Sequence, residues 1–242
     1  MKLGIMQPYF FPYLGYFALI AQTDRWVVFD MTQYTRRSWL TRNRILHPSQ
    51  GWQYITLPMD HASPSINICE ARVLDRDAAA RRILGQIEHY RRHAPFFPAV
   101  ADLVRDTLRA GESQFLVDVC VSGLRNVCRY LGLPFNYLIC SRENLPLPAI
   151  TGPGLWALEI SAVLKASEYV NPIGGQELFD RGAFAKRGIR LSFLPPPDFR
   201  YSCAPYSFIE HLSIVDVLMW NRPEAVKQAL LTAPRSDGQG AA

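Results

Sequence analysis

The alternation of apolar and polar residues at the start of the chain indicates a strand, a loop, a helix and a second strand. Lys2–Met6 is a short apolar run that stops before Pro8, where proline removes a backbone donor. Residues 15–22 then place apolar side chains at helical spacing, and residues 25–29 form a compact apolar run typical of a buried strand. Because parallel neighbours are joined through a crossover helix, this order predicts an α/β fold in which the two strands pair in parallel.

The rest of the chain continues with strands and helices around a helical middle part. The pattern predicts strands at residues 52–57, 66–73, 135–140, 169–170 and 189–194. Apolar stripes predict helices at residues 75–93, 99–109, 113–131, 155–165, 212–220 and 223–231, the first of them capped by Asp75. We therefore expect one α/β domain over residues 1–233 with a mostly parallel sheet, a helical insertion at 74–132 and a disordered tail at 234–242.

Charge and cysteine content narrow the class of protein. The chain has 26 Lys plus Arg against 21 Asp plus Glu, a formal net charge of +5. This balance suits a phosphate-bearing ligand but lacks the dense basic stripe of a dedicated nucleic-acid-binding protein, so no DNA partner is predicted. For the net charge alone, a solvated basic surface is the simpler explanation. The five cysteines form no CxxC pair, no apolar run approaches the ~18 residues of a membrane span, and the opening residues lack a signal-peptide cleavage site. We expect reduced thiols, no membrane span and a cytoplasmic location.

The loop after the first strand is the first candidate for a ligand site. It carries Gln7, Tyr9, Tyr13, Gly15 and Tyr16 at the carboxyl end of a strand, before a helix whose first amides are unpaired. The spacing of Tyr13, Gly15 and Tyr16 resembles the HxGH turn of nucleotidyltransferases, which favours a nucleotide-binding sheet of nucleotidyltransferase-like, HUP or Rossmann-like type. A phenol with a pKa of ~10 cannot supply the cation that imidazole supplies there, so a packed aromatic lid is an equal interpretation.

The segment after the second strand is basic and aromatic. Four arginines fall within residues 36–44, around Trp39 and after Tyr34. Guanidinium groups bind phosphate through paired hydrogen bonds, and the rings offer flat surfaces to a base or a sugar. This segment is the strongest local indication of a phosphorylated ligand, with an exposed charged loop as the alternative.

A third candidate follows the strand near residue 170, where Gly174 and Gly175 could let backbone amides approach an anion. Taken alone, a plain tight turn is the simpler explanation. Near the end of the chain, Ser213 is predicted to cap a helix and Asp216 to suit the helix dipole. The histidines show no metal-ligand spacing, so no metal site is predicted. The two histidines on the helix predicted at residues 75–93 are interpreted as surface residues.

Five sequence blocks together resemble the WbqC-like family of bacterial proteins. The blocks are MQPYFFPYLGYF, QYTRRSWLTRNRI, YVNPIGGQELF, GIRLSFL and FIEHLSIVDVLMWN, in order from about residue 3 to residue 231. The family is associated with operons for O-antigen and other surface polysaccharides and with small-molecule biosynthesis genes. By matching motif positions, the resemblance implies as pattern positions Gln7, Pro8, Tyr9, Pro12, Gly15, Tyr16, Asp30, Gln33, Tyr34, Arg37, Trp39, Arg42, Asn43, Asn171, Gly174, Gly175, Ser213, Asp216 and Asn221.

The basic segment and the implied pathway context lead to a functional hypothesis. It is a biosynthetic transferase that moves an acyl or aminoacyl group to an amino sugar or small amine from a phosphate-bearing donor: a nucleotide, a coenzyme or a charged tRNA. No definite cofactor follows from the sequence. Asp30, Gln33 and Tyr16 are the predicted catalytic residues, with Asp30 as base for the amine. The predicted binding residues are Gln7, Tyr9, Tyr13, Gly15, Tyr34, Arg37, Trp39, Arg42, Asn43, Asn171, Gly174 and Gly175, with Arg37 and Arg42 on the donor phosphate.

Two alternatives stay open. A nucleotidyltransferase-like enzyme would use Tyr13 and Tyr16 on a nucleoside triphosphate. A non-catalytic ligand-binding or scaffold protein of a biosynthetic complex would bind without turnover. The transferase hypothesis depends on one geometric expectation, namely that the basic segment and the opening loop face the same crevice.

Overall fold

A five-stranded parallel sheet forms the centre of the molecule. The computed structural model describes residues 1–60, 65–109, 111–150 and 152–234. With strands numbered along the chain, the order across the sheet is β5 (Tyr137–Ile139), β2 (Arg25–Val28), β1 (Lys2–Met6), β6 (Glu168–Pro172) and β7 (Arg190–Leu194). All neighbouring strands are parallel, which confirms the predicted α/β fold and the pairing of the first two strands.

The strand order defines the type of α/β fold. The chain starts at the centre with β1, moves outward through β2 to β5, returns to β6 beside β1 and then adds β7. This is the strand order of Rossmann-like folds, and its direction reverses between β1 and β6. Ligands of open α/β sheets bind outside the carboxyl ends of the strands at such a reversal.

Helices cover both faces of this sheet. They are α1 (Leu14–Ala21), α2 (Arg76–Ile87), α3 (Phe97–Arg109), α4 (Leu116–Leu131), α5 (Pro153–Val163), α6 (Arg181–Lys186), α7 (Ile214–Trp220) and α8 (Pro223–Leu231). Trp26, Val28 and Val170 belong to a large core that includes α1 to α4, α7 and α8. Leu3 and Ile5 belong to a smaller core with α5 and α6. Burial on both faces explains why the central strands are nearly continuous apolar runs.

The first helix of the middle part of the chain, α2, begins at a side-chain cap. Asp75 begins α2 as predicted, because its carboxylate accepts a hydrogen bond of 2.8 Å from the amide of Ala78. The helix ends at Ile87 and a 3-10 turn, Glu88–Arg92, completes the segment predicted as one helix. The short helix α6 has no counterpart in the sequence predictions.

An antiparallel hairpin lies outside the parallel sheet. It consists of β3 (Arg42–Leu46) and β4 (Trp52–Thr56), with Arg44 opposite Tyr54. The alternation predicts β4 but misses β3. The strand predicted at residues 66–73 is wrong: a 3-10 turn forms there, and the carboxylate of Glu70 closes it by accepting a 2.7 Å hydrogen bond from the amide of Asn67.

The structure also bears on the cysteines, on membrane-spanning helices and on the predicted tail. The five cysteines are free thiols, and four of them are buried. Among the described residues, no helix combines the length and the apolar character needed to cross a bilayer. The tail predicted at 234–242 lies outside the described residues from position 235 onward.

Candidate functional site

The opening loop, residues 7–13, is hydrogen-bonded to the basic segment, residues 33–44. The amide of Phe10 donates to the carbonyl oxygen of Trp39 at 2.9 Å. The buried side chain of Asn43 donates to the carbonyl oxygens of Phe11 at 2.9 Å and Phe10 at 3.3 Å. The two segments that the sequence singled out are therefore neighbours.

These segments form an open cavity of about 270 Å³, which we call the cationic crevice. It is lined by Tyr9, Pro12, Tyr13, Trp39, Asn43, Arg44, Pro196 and His211. The lining contains an arginine, a histidine and three aromatic rings but no carboxylate. The crevice can therefore accept an anionic group without repulsion.

Arg44 is the cation of this crevice. Its guanidinium lies 5.6 Å from the ring centroid of Trp39 and 5.3 Å from that of Trp52. One terminal nitrogen donates to the carbonyl oxygen of His211 at 3.3 Å, whereas Nε is buried and has no hydrogen-bond partner. Solvent does not reach Nε, so what Arg44 offers to a ligand in the crevice is the positive charge of its guanidinium.

The other arginines of the segment do not line the crevice. Arg42 lies over the ring of Tyr54, with 4.1 Å between the guanidinium carbon and the ring centroid, and Arg37 is exposed. In the part of the chain that the structure describes, neither of them, nor Arg44, forms an ion pair with a carboxylate. The structure thus brings Arg44, rather than the predicted Arg37 and Arg42, to the opening loop.

Three segments around the crevice contain non-glycine residues in the left-handed conformation. The φ angles are 41° at Phe11, 53° at Arg37 and 58° at His211. Each such residue costs on the order of 1–3 kcal/mol and persists where its surroundings fix it. Phe11 is fixed by Asn43 and by the hydroxyl of Ser213, which donates to its carbonyl oxygen at 2.7 Å. Ser213 also caps α7, as predicted.

Sequence analysis missed His211. Its ring lies edge-on to Tyr13 with 5.9 Å between centroids, in the turn that precedes α7. The residue is about 200 positions from the opening loop along the chain, and no spacing signal identifies it. Histidine is the side chain that most often acts as a general acid or base, so the crevice contains a group suited to acid–base chemistry.

The two tyrosines of the HxGH-like turn point in different directions. Tyr13 lines the cationic crevice, and its ring lies so close to Gly15 that an added Cβ would be 2.5 Å from Cε2. Tyr16 is fully buried, packs on Trp26 and donates to the carbonyl oxygen of Gln7 at 2.8 Å. Burial raises the pKa of Tyr16 well above its ordinary value. The catalytic role expected of Tyr16 is thus at odds with its position, since its hydroxyl fixes the loop from inside the core.

Asp30 connects two strand ends. Its side chain is fully buried, and its two oxygens accept hydrogen bonds from the amide of Ser141 at 2.9 Å and from the hydroxyl of Ser141 at 2.6 Å. This geometry joins the end of β2 to the segment after β5. It argues against the role of Asp30 as a base, because a base must reach the proton it removes.

The remaining predicted residues of the basic segment lie outside the crevice. Gln33 is exposed and pairs with Asn67 in an isolated bridge. Tyr34 is buried, its amide donates to the carbonyl oxygen of Ile66, and burial raises its pKa. These positions therefore shape the segment rather than contact the crevice.

A second cavity, of about 300 Å³, lies at the carboxyl ends of β1 and β6, and we call it the switch-point crevice. Its lining includes Gln7, Tyr9, Asn171 and Gly175 among the predicted residues, whereas the exposed Gly174 lies outside it. Tyr9 lines both crevices, so the two are adjacent. The predicted ligand residues at the two strand ends are thus brought together.

Asp216 lies in the first turn of α7, as predicted, and it is also the centre of a buried hydrogen-bond cluster. Its carboxylate accepts from the hydroxyl of Tyr90, from that of Tyr201 at 2.9 Å and from the amide of Leu46 at 3.2 Å. Burial raises the pKa of Asp216, while the tyrosine hydrogen bonds oppose the rise. The cluster ties β3 to α7 and to the segment before it.

Asn221 and the paired histidines have structural surroundings rather than a place in either crevice. The side chain of Asn221 donates to the carbonyl oxygen of Val217 at 2.8 Å and closes α7. His93 is exposed, but His89 is half-buried and burial lowers its pKa, so the interpretation of two surface histidines holds for one of them. Among the described residues, no group of three or more histidine, cysteine, aspartate or glutamate side chains could hold a metal ion.

The strand order defines the class as a Rossmann-like α/β protein, with a crevice at the carboxyl ends of two strands of its parallel sheet. The model of the WbqC-like protein family matches residues 7–228, so the chain belongs to this family. The chain is also similar to an uncharacterized protein of Mycobacterium tuberculosis, Rv1507c, with 26% identity over 218 residues that cover 90% of this chain and 92% of the relative. No solved structure matches the chain significantly.

Proposed function

We propose that the protein is a transferase that holds a phosphate-bearing donor in the cationic crevice and moves an acyl or aminoacyl group to an amino sugar or small amine. The observation that carries the proposal is Arg44, whose guanidinium forms no ion pair within the described part of the chain and lines a crevice without carboxylates. A phosphate group would pair with this charge. The acceptor class rests on the pathway context, including O-antigen synthesis, that the family resemblance implies.

His211 takes the place of Asp30 as the proposed base. The amine nitrogen attacks the carbonyl carbon of the donor, a carbon–nitrogen bond forms, and the bond from that carbon to the donor oxygen or sulfur breaks. The amine loses its proton to the imidazole of His211, and the leaving group takes a proton from there. Trp39 and Tyr13 offer ring faces that would orient the donor beside this histidine.

The geometry favours this proposal over nucleotidyl transfer. That alternative needs Tyr13 and Tyr16 on one ligand, whereas Tyr16 is buried in the core. The donor classes are a nucleotide, a coenzyme or a charged tRNA. We further propose a cytoplasmic location, which five free thiols support because disulfides are rare in reducing compartments.

Binding of inorganic pyrophosphate by calorimetry tests the phosphate assignment. Arg44→Ala should weaken binding about ten- to hundredfold, since a hydrogen bond to a charged group contributes about 1.5–3 kcal/mol. Arg72→Ala is the matched control, because Arg72 also lies over a ring, that of Phe115 at 4.3 Å, away from the crevice. Wild-type affinity in Arg44→Ala would refute the assignment.

A turnover assay separates the transferase from a scaffold protein. His211→Gln should lower the rate of acyl transfer to the amine at saturating donor, where a change in donor affinity no longer limits the rate. Binding of donors without any transfer to amine acceptors would instead favour the non-catalytic alternative.

A further inference from the structure

The switch-point crevice arises because two central strands separate. β1 and β6 pair from Lys2 opposite Glu168 to Gly4 opposite Val170. Beyond this point β1 stays paired with β2 up to Met6, and β6 stays paired with β7 up to Pro172. The strand ends diverge at the reversal of strand order, which is where open α/β sheets bind ligands.

The lining of this crevice selects an uncharged, flat group. None of its lining residues is charged. Phe29 and Trp156 lie 5.2 Å apart between ring centroids, and Tyr169 and Phe179 lie 5.4 Å apart. A phosphate or an ammonium group would lose its hydration here without a partner, whereas a ring system would stack on aromatic walls. The volume, about 300 Å³, is at the small end of ligand sites and suits one part of a larger ligand.

A fixed amide supplies the polar recognition. The nearly buried Asn171 accepts a hydrogen bond of 2.8 Å from the hydroxyl of Tyr169 and donates one of 3.0 Å to the carbonyl oxygen of Pro172. These bonds set the orientation of the amide and leave one N–H and one lone pair for a ligand. A Cβ at Gly175 would collide with Nδ2 of Asn171, so glycine is required for this orientation. An amide with one free donor and one free acceptor matches the edge of a nucleobase.

We infer that the switch-point crevice binds the nucleobase of the donor and that its phosphates extend past Tyr9 to Arg44, so that the donor is a nucleotide. The inference rests on the proposed function, because it adds the ring moiety to the same donor. Tyr9 is the wall that both crevices share, and a ligand that occupies both must pass it. A neutral hexose fits less well, since its many hydroxyl groups would meet mostly apolar walls.

Binding of ribonucleosides, their diphosphates and pyrophosphate tests the inference on the full chain. Trp156→Ala and Gly175→Ala should each weaken the preferred nucleoside diphosphate about five- to 150-fold and reduce the saturation-transfer NMR signal of the free nucleoside. Pyrophosphate binding should be unchanged in both variants. The controls are Leu155→Ala, an exposed neighbour, and Gly85→Ala, where an added Cβ meets no atom within 4 Å.

The outcomes separate this inference from the proposed function. If Arg44→Ala weakens the diphosphates but neither crevice variant does, the nucleobase assignment is overturned and the phosphate site stands. If neither pyrophosphate nor any diphosphate binds, the proposed function fails. Nucleoside binding that is weakened by Trp156→Ala would in that case still support a nucleobase site in the switch-point crevice. Binding of neutral hexoses in preference to nucleosides, or of no nucleoside or diphosphate at all, would overturn the inference.

Discussion

The cluster around Asp216 makes Tyr201→Phe a sharp test of how the site is held together. The substitution removes only the hydroxyl that donates to Oδ1 of Asp216 at 2.9 Å and leaves the ring in place. The carboxylate then keeps the donors from Tyr90 and Leu46 but has one unsatisfied oxygen in a fully buried position. The folded state therefore loses a hydrogen bond to a charged group.

The magnitude follows from the charge of the acceptor. A hydrogen bond to a charged group contributes about 1.5–3 kcal/mol to the free energy of unfolding, compared with about 0.5–1.5 kcal/mol for a neutral pair. For a chain of this size each kcal/mol corresponds to about 2–4 °C in Tm, so the expected decrease is about 3–12 °C. Urea titration and scanning calorimetry at pH 7 measure both quantities.

The loss of unfolding free energy in Tyr201→Phe should increase with pH. Because burial raises the folded pKa of Asp216 above 3.8, its contribution to stability is complete below the unfolded pKa and declines as pH rises through the folded pKa. The hydrogen bond from the hydroxyl of Tyr201 favours the charged form of Asp216, so it reduces the loss of stability at high pH. The difference in unfolding free energy between wild type and Tyr201→Phe should therefore be larger at about pH 8 than at about pH 4.

Tyr130→Phe is the matched control for this prediction. Tyr130 is half-exposed on α4, and its hydroxyl forms no hydrogen bond within the described part of the chain. It should change the unfolding free energy by less than about 0.5 kcal/mol. Equal losses in the two variants, or a loss in Tyr201→Phe that is the same at both pH values, would refute the reasoning.

Three further predictions concern the loop, the strand ends and the thiols. Asn43→Ala should destabilise the fold by about 2–4 kcal/mol in urea titrations, because it removes the donors to Phe11 and the preceding carbonyl; normal stability would contradict this role. Asp30→Asn should lower Tm, because it weakens the hydrogen bonds with Ser141, and should leave the affinity for pyrophosphate unchanged. A loss of turnover at unchanged Tm would instead support the original prediction that Asp30 is the catalytic base. In the native protein at pH 7.5 a disulfide reagent should react slowly, first at the half-buried Cys69, because burial raises the pKa of the thiols; rapid reaction of several thiols would contradict the burial.

The sequence predicts the central strands well, and the reason is physical. Both faces of β1 and β2 are buried, so their residues form apolar runs that need no knowledge of the tertiary structure. β3 is missed because its inward-facing Asn43 is polar. That amide is satisfied by carbonyl groups more than 30 residues earlier in the chain, and no local pattern reveals such partners.

The site was predictable as a pair of segments but not as a set of side chains. The composition of the opening loop and of the basic segment identified both, and the structure places them in contact. Which arginine lines the crevice depends on the hairpin, where the guanidinium of Arg44 lies 5.6 Å from the ring centroid of Trp39 and 5.3 Å from that of Trp52. His211 comes from a distant part of the chain and takes its place through the contacts of α7, which sequence spacing cannot show.

Under the proposed function, a Rossmann-like sheet would bind phosphate without a glycine-rich loop. In dinucleotide-binding folds of this strand order, the amides at the start of the first helix approach the phosphate directly. Here the ring of Tyr13 lies against Gly15 at the start of α1, and the loop before it is fixed by Asn43 and Tyr16. In the proposed site the positive charge would come instead from Arg44 on the hairpin, which lines the cationic crevice together with Tyr9. A guanidinium keeps its charge at every physiological pH and can satisfy two phosphate oxygens, so it can replace the helix terminus in this role.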